Sequence, residues 1–481
     1  MLQRAVALRR QDDPVDHAEL GRLEAALATA ESGAGRWEAA RASFGRAAEA
    51  ARVAEAGAAF AYAALGHSGG TWEQYGRDDA ASRALLQEAL DRLPEGGSVL
   101  RSQVLARLAV LLYYDRTASW EQVLDAADEA VAIARRLGDA DALVAALAAA
   151  QDARWQPGRQ GERLRIIDEL IELAEERGAL VEAAEAHLCR AVALLELCEP
   201  DQAEPHLARY SELAERVQPF QLVFIRIALR AMRKLLIGDY EAGAAATAEV
   251  LERGRRAQPY GSAPMPALLQ THAIETLALL NERDELGRLT PLMEQMVRDI
   301  TALPGWRAAL AWTHVQADRP HLARAELAAI SANGFAVFPR DAHLLPSMAL
   351  VAHAVGELGD ATLAERAEPL LAPFRELWVV FGLGAVTLGP VAYSLGLLQL
   401  VQDRPDDAAE TFELAIELSL RMGARPYVAR SRAGLADALR RRGAPADEAR
   451  ADELTALAAA DARELGMTRL QRELGAAVSV R

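Results

Sequence analysis

Apolar positions along the chain recur in steps of three and four, the signature of helices with one buried face. Trp37, Ala40, Phe44 and Ala47 form one such stripe, with Gly35 two residues ahead of it. The same frame returns as Trp120, Val123, Ala127, Ala130; as Pro200, Ala203, Leu207, Tyr210; and as Gly238, Tyr240, Gly243, Val250. Further along it reads Pro320, Ala323, Leu327, Ile330; then Gly359, Ala364, Leu371; then Pro405, Ala408, Phe412, Ala415. Weaker copies centre on Ser82, Leu164, Leu286 and Ala449. No run alternates apolar and polar residues as a half-buried strand would. The pattern predicts an all-α chain.

Taking the small residue of each frame as a marker gives positions 40, 82, 123, 164, 203, 243, 286, 323, 364, 408 and 449, at intervals of 37 to 44. About eleven units of this length nearly exhaust 481 residues, so the chain reads as one array over 1–481, divisible into subarrays 1–215 and 216–481. Each unit reads as two helices, with Gly, Asp or Pro in the turn that ends one and starts the next, as in Gly238-Asp239 and Asp403-Arg404-Pro405. A lone pair cannot bury its stripe; stacking does, and predicts an α-solenoid wound as a right-handed superhelix with a concave inner groove.

One segment departs from the pattern. Leu377 to Gln402 carries no charge over 26 residues, long enough to cross a bilayer. Gly389-Pro390 interrupts it near the middle, where a helix breaks. The reading is two short buried helices and no membrane contact.

Composition narrows the chemistry. Half the residues are apolar but only 5% are aromatic, so Ala, Leu and Val supply the core, which favours helices. The net charge of −16 opposes direct nucleic-acid binding. Lys234 is the single lysine among 53 basic residues, and Asn281 and Asn333 are the only asparagines. A phosphate-binding Walker loop needs a Gly-Lys-Ser/Thr run, which Arg233-Lys234-Leu235 is not. Cys189 and Cys198 read as small buried apolar residues, Cys198 standing where other units have Gly or Asp. With a charged N-terminus and two unpaired cysteines the expected compartment is the cytoplasm.

The Gly-x-Trp/Tyr-x-x-Ala-x-x-x-Phe-x-x-Ala frame resembles the tetratricopeptide repeat, lengthened beyond its usual period. Leu90–Gly97 (LDRLPEGG), Leu105–Tyr113 (LARLAVLLY), Ala134–Asp139 (ARRLGD), Leu303–Leu310 (LPGWRAAL) and Phe338–Asp341 (FPRD) resemble more closely the C-terminal repeat region of large bacterial signal-transduction ATPases. Those include LuxR-type activators, cyclase-linked ATPases and maltose-type regulators. The resemblance covers essentially the whole chain and implies a protein-interaction or effector-sensing module in bacterial regulation. The family's nucleotide-binding module and helix-turn-helix are not visible. The Lys/Asn carboxylate clamp of chaperone-associated repeats is excluded by composition, although arginines remain able to hold a carboxylate.

Candidate site residues concentrate where aromatics do. Trp306, Arg307, Trp312, His314, Phe338, Arg340, Asp341 and His343, joined by Trp378, Arg425 and Tyr427 from later units, form the expected groove site for a protein partner or small effector. Trp37, Trp72, Trp120 and Trp155 form a second, packing group. No metal-ligand or cofactor motif is present, so neither metal nor cofactor is expected. The alternative is a free-standing enzyme using the solenoid cavity as a reaction chamber, with His314, Arg340, Asp341 and His343 in acid–base and electrostatic roles. An exposed end of the array would also allow a homodimer.

Overall fold

The turn that opens a frame is built the same way in its three proline-led copies. In Leu197-Cys198-Glu199-Pro200, Ala317-Asp318-Arg319-Pro320 and Gln402-Asp403-Arg404-Pro405, the second residue takes a left-handed φ of 57°, 56° and 55°. The amide after it reaches back to the last turn of the preceding helix: Glu199 to Leu194 O, Arg319 to His314 O and Arg404 to Gln399 O, at 2.9–3.0 Å. This double return bond satisfies carbonyls the helix end would otherwise leave open. Proline then starts the next helix, where its missing N–H costs nothing. Cys198 therefore fills a conformational slot, as its position in the frame suggested. Its thiol donates to Glu376 O at 3.7 Å, and burial pushes its pKa up to about 12, so it stays protonated.

The computed structural model describes residues 1–12, 14–34, 36–69, 79–257, 266–301 and 303–479. Gly35 and Trp72 lie outside them. The described residues are all-α apart from one hairpin, and successive helices pack as pairs: Trp37–Val53 on Gly57–Ser68, Val99–Tyr113 on Trp120–Leu137, Pro405–Arg421 on Arg425–Arg442. The small frame residues Val123, Ala203, Ala323, Ala364 and Ala408 are fully buried between neighbours. The weaker copies fit less well. Leu164 is only half-buried, Leu286 begins a short 3-10 turn, and Ala449 faces solvent while Ala451 is buried. Trp37 is also a correction: it opens its helix 44% exposed instead of packing.

Two compact units result. The first comprises Met1–Trp155 and Glu162–Ala186, the second chiefly His187–Ala257 and Pro264–Arg481. In the first, Trp155 is buried beneath the Arg163 guanidinium, 4.3 Å from the ring centre, and Tyr113 donates to the Trp155 carbonyl at 3.0 Å.

The second unit contains what the charge-free segment becomes. Its first half is not a helix: strands β1 (Trp378–Phe381) and β2 (Val386–Pro390) pair antiparallel, and only Val391–Val401 is helical. The residues explain the difference. Trp-Val-Val-Phe and Val-Thr are β-branched and aromatic, and Gly382 and Gly384, both with positive φ, turn the chain between them. Every strand residue is buried, so neither face shows polar alternation. β1 packs on Leu344–Leu358, while β2 packs on Phe220–Ile237, Pro266–Glu282, Val391–Val401 and Pro405–Arg421. The hairpin thus fills the space that these helices surround. Among the described residues, no helix is long and apolar enough to cross a membrane.

Gly389 marks a bulge, where the pairing slips between Trp378 and Val380. Its φ is +82°, and a Cβ there would run into the Tyr427 ring. Gly389→Ala should therefore destabilise the protein by roughly 3 kcal/mol, from overpacking plus backbone strain. Gly334→Ala, at φ +68° with open space around it, should lose only about 1 kcal/mol. Urea unfolding of the two variants measures the difference.

Candidate functional site

The aromatic residues singled out in the sequence gather around the hairpin, but not as one site. On one side Trp306, from the helix Gly305–Gln316, lies 5.8 Å from Phe381 of β1, and His343 meets the same ring edge-on at 6.4 Å. Phe338 stacks on Phe335 at 6.2 Å. Asp341 closes the turn before the helix Leu344–Leu358: its carboxylate accepts the His343 amide at 2.7 Å and lies 3.4 Å from His343 Nδ1. Trp306, Phe338, Asp341 and His343 line one cavity of about 20 Å³, together with Ser347 and Phe381.

A second cavity, of about 30 Å³, is lined by Trp312, His353, Tyr240, Asn281, Glu282, Tyr427 and Arg430, with Thr387 and Leu388 of β2. Here aromatic rings form an unbroken series. Trp312 stacks on His353 at 4.3 Å and 13°; His353 lies 5.7 Å from Tyr393; Tyr393 lies 5.7 Å from Tyr427; and Tyr427 meets Trp378 edge-on at 5.8 Å. Each cavity has room for a water molecule or two.

Cations bracket this series. The Arg430 guanidinium lies 5.0 Å over the Tyr427 ring and pairs with Glu282, and burial lowers its pKa to about 10. Arg469, from the helix Thr468–Ser479, sits 5.8 Å over Trp312. It also bonds Asn281 at 2.6 Å, Glu357 and Glu473, joining the end of the chain to the helix Pro266–Glu282. Glu357 further accepts from Trp312 Nε1 and Gln316. Burial pushes the hydroxyls of Tyr240, Tyr393 and Tyr427 above their ordinary value, so all three remain protonated donors.

The remaining predicted residues stand apart. Arg307 pairs with Glu326 at 2.7 Å. His314 is buried and lines neither cavity; burial lowers its pKa. Arg340 is exposed on its turn, and Arg425 is exposed and paired with Glu464 at 2.7 Å. The structure therefore brings Asp341 and His343 together, but leaves His314 and Arg340 outside their cavity.

Sequence reading missed His353, Tyr240, Arg430 and Glu282, which complete the second cavity, and Arg469, which lies over Trp312. It also missed the larger open concavity of this unit, about 490 Å³, lined by Leu207, Ser211, Ile227 and Leu229 with Arg226, Arg230, Arg233, Lys234 and Arg253. Its signal was present: basic residues at 226, 230, 233 and 234 share one helix face. The first unit has an open concavity of about 370 Å³, lined by Trp37, Phe44, Tyr62, Arg41, His67 and Arg107 among others.

No family model and no curated protein matches this sequence. Solved structures overlap it weakly. A crystal structure of yeast Tom70 covers 85% of this chain and 88% of its own, at 10% identity and a TM-score of 0.37. The APC/C hetero-tetramer Cut9–Hcn1 covers 92% and 88%, at 13% identity and a TM-score of 0.31. Naa15/Naa10 bound to HypK-THB covers 94% and 78%, at 12% identity and a TM-score of 0.24. Overlap of this degree assigns neither activity nor partner.

Burial lowers the pKa of His353 to about 3, with the Arg469 charge adding to the effect. Folding therefore requires this imidazole neutral, while the unfolded chain protonates it near 6.5. The resulting stability is complete above pH 6.5 and is lost progressively as pH falls towards 3. His353→Phe, which keeps a ring against Trp312, should flatten the fall in thermal midpoint across that window. An unchanged pH profile would contradict the assignment.

Proposed function

We propose that this chain is a tetratricopeptide-like interaction module, serving bacterial regulation in the cytoplasm by binding a protein partner or a small effector on surfaces between neighbouring helix pairs. The observation that carries the reading is a contrast of size within the described residues. The cavities beside the hairpin hold about 20 and 30 Å³, whereas the other two concavities span about 490 and 370 Å³. Ligand pockets for small molecules run to a few hundred Å³. Binding that ties several helix pairs together can also bias how they pack, because each contact between neighbours is modest. The aromatic residues around the hairpin then act in this reading by holding the second unit in shape, with Trp306, Trp312, Phe338, Trp378 and Tyr427 as its wedges.

A photo-crosslinking residue placed at Ser211 in one concavity and at Thr29 in the other tests this in the native cell. A discrete crosslinked product is expected from at least one of them and none from a control at exposed Glu448. Labelling at both sites no stronger than at Glu448 would end the interaction reading.

A further inference from the structure

The larger concavity has a more specific character than an open surface. The helix Pro200–Val217 packs sparsely on Phe220–Ile237, whereas Tyr240–Ala257 packs closely on it, and the opening lies between the two outer helices. Leu207, Ile227 and Leu229 lie buried beneath the groove, so the apolar surface it presents includes the exposed stems of its arginines. Arg226, Arg230, Arg233 and Lys234 project from a single face of the floor helix, and Arg253 comes from the wall. Five cations therefore line the groove with one carboxylate, Glu249, in a chain whose net charge is −16.

Each cation is held by a carboxylate, Glu249 within the groove and the others at its rim. Arg226 pairs with Glu215, Arg230 with Glu249, Arg233 with Glu204 at 2.7 Å, Lys234 with Asp239 at 3.0 Å, and Arg253 with Glu249 at 3.2 Å. Glu204 and Glu215 are more than half exposed, and pairs in such settings stabilise by only about 0.2–1 kcal/mol. They are thus easily exchanged for other carboxylates. A ligand that brought its own carboxylates and also laid apolar side chains along the stems of Arg226, Arg230 and Arg233, which are 35–53% exposed, would replace these pairs and gain burial.

We propose that this groove binds an acidic, partly apolar peptide segment of a partner protein, whose carboxylates take over Arg226, Arg230 and Arg233 from Glu215, Glu249 and Glu204. This rests on the interaction reading above and names the chemistry of its partner. Alternating acidic and apolar side chains fit both features of the groove. A nucleic acid satisfies only the cations, and its dense negative charge is repelled by the acidic remainder of the chain.

The test is fluorescence anisotropy of the full chain with a labelled peptide of about ten residues alternating Glu and Leu. The expected result is saturable binding that weakens at high salt and is absent for the Gln/Leu peptide of equal length. Arg226→Glu, Arg230→Glu and Arg233→Glu together should weaken it about tenfold or more. Glu204→Gln with Glu215→Gln, which removes the competing carboxylates, should tighten it, an effect that damage to the fold would not produce. Equal binding of the Gln/Leu peptide, no change in either variant, or equal competition by inorganic phosphate or an RNA of similar charge would each overturn the proposal. A crosslink at Ser211 that survives the triple charge reversal would overturn this inference alone and leave the interaction reading standing.

Discussion

Helices in this protein are held together by close approach at small side chains, and the rest of the structure depends on it. An alanine buries little apolar surface by itself, so a core built on Ala203, Ala323, Ala364 and Ala408 coheres only if backbones come near enough for their own atoms to pack. Phe412 shows how tight the fit becomes. Its ring lies in the gap between Gly396 and Gly434 of the flanking helices, where an added Cβ would sit 2.7 and 2.5 Å from it. The frame's large residue and its neighbours' missing side chains are therefore one feature, and neither can change size alone.

The same constraint explains where the polar chemistry lies. Helices this close leave little room for long side chains between them, so arginines collect at crossings and ends. Arg163 in the first unit and Arg469 and Arg430 in the second are drawn inside; each lies over an aromatic face, and the latter two each meet a carboxylate. A buried cation is tolerated on those terms. The outer arginines of Phe220–Ile237 have only partners within the groove or at its rim, which makes that face the more exchangeable of the two.

Much of the architecture was readable in advance because a period is a property of one strand of text. The left-handed slot at Cys198, Asp318 and Asp403 and the buried small residue three positions after each proline follow from local conformation. The hairpin was not readable. With both faces buried, Trp378–Phe381 and Val386–Pro390 have no polar alternation, and their apolar run imitates a buried helix; only the β-branched residues and the glycines of the turn spoke against it. Ala449 misled for another reason, since a run of alanines fits the frame in more than one register. The site residues were legible as a concentration of rings but not as an arrangement. His353 reaches Trp312 through packing, and Arg469 reaches Asn281 across 188 positions of chain, separations that no spacing rule encodes.

That last contact also sets an order of events. An open array can begin folding at any pair and spread outward, because each pair needs only its neighbour. The second unit cannot finish this way: Asn281 and Asp284 wait for Arg469 and Arg472, which are synthesised 188 residues later. Until then the end of the helix Pro266–Glu282 and the turn after it lack the cations that hold them, while pairs formed by adjacent helices are already complete. The helix Thr468–Ser479 thus makes the second unit a closed set of contacts instead of a row of neighbours, and it cannot be complete until both ends of that 188-residue span have been made.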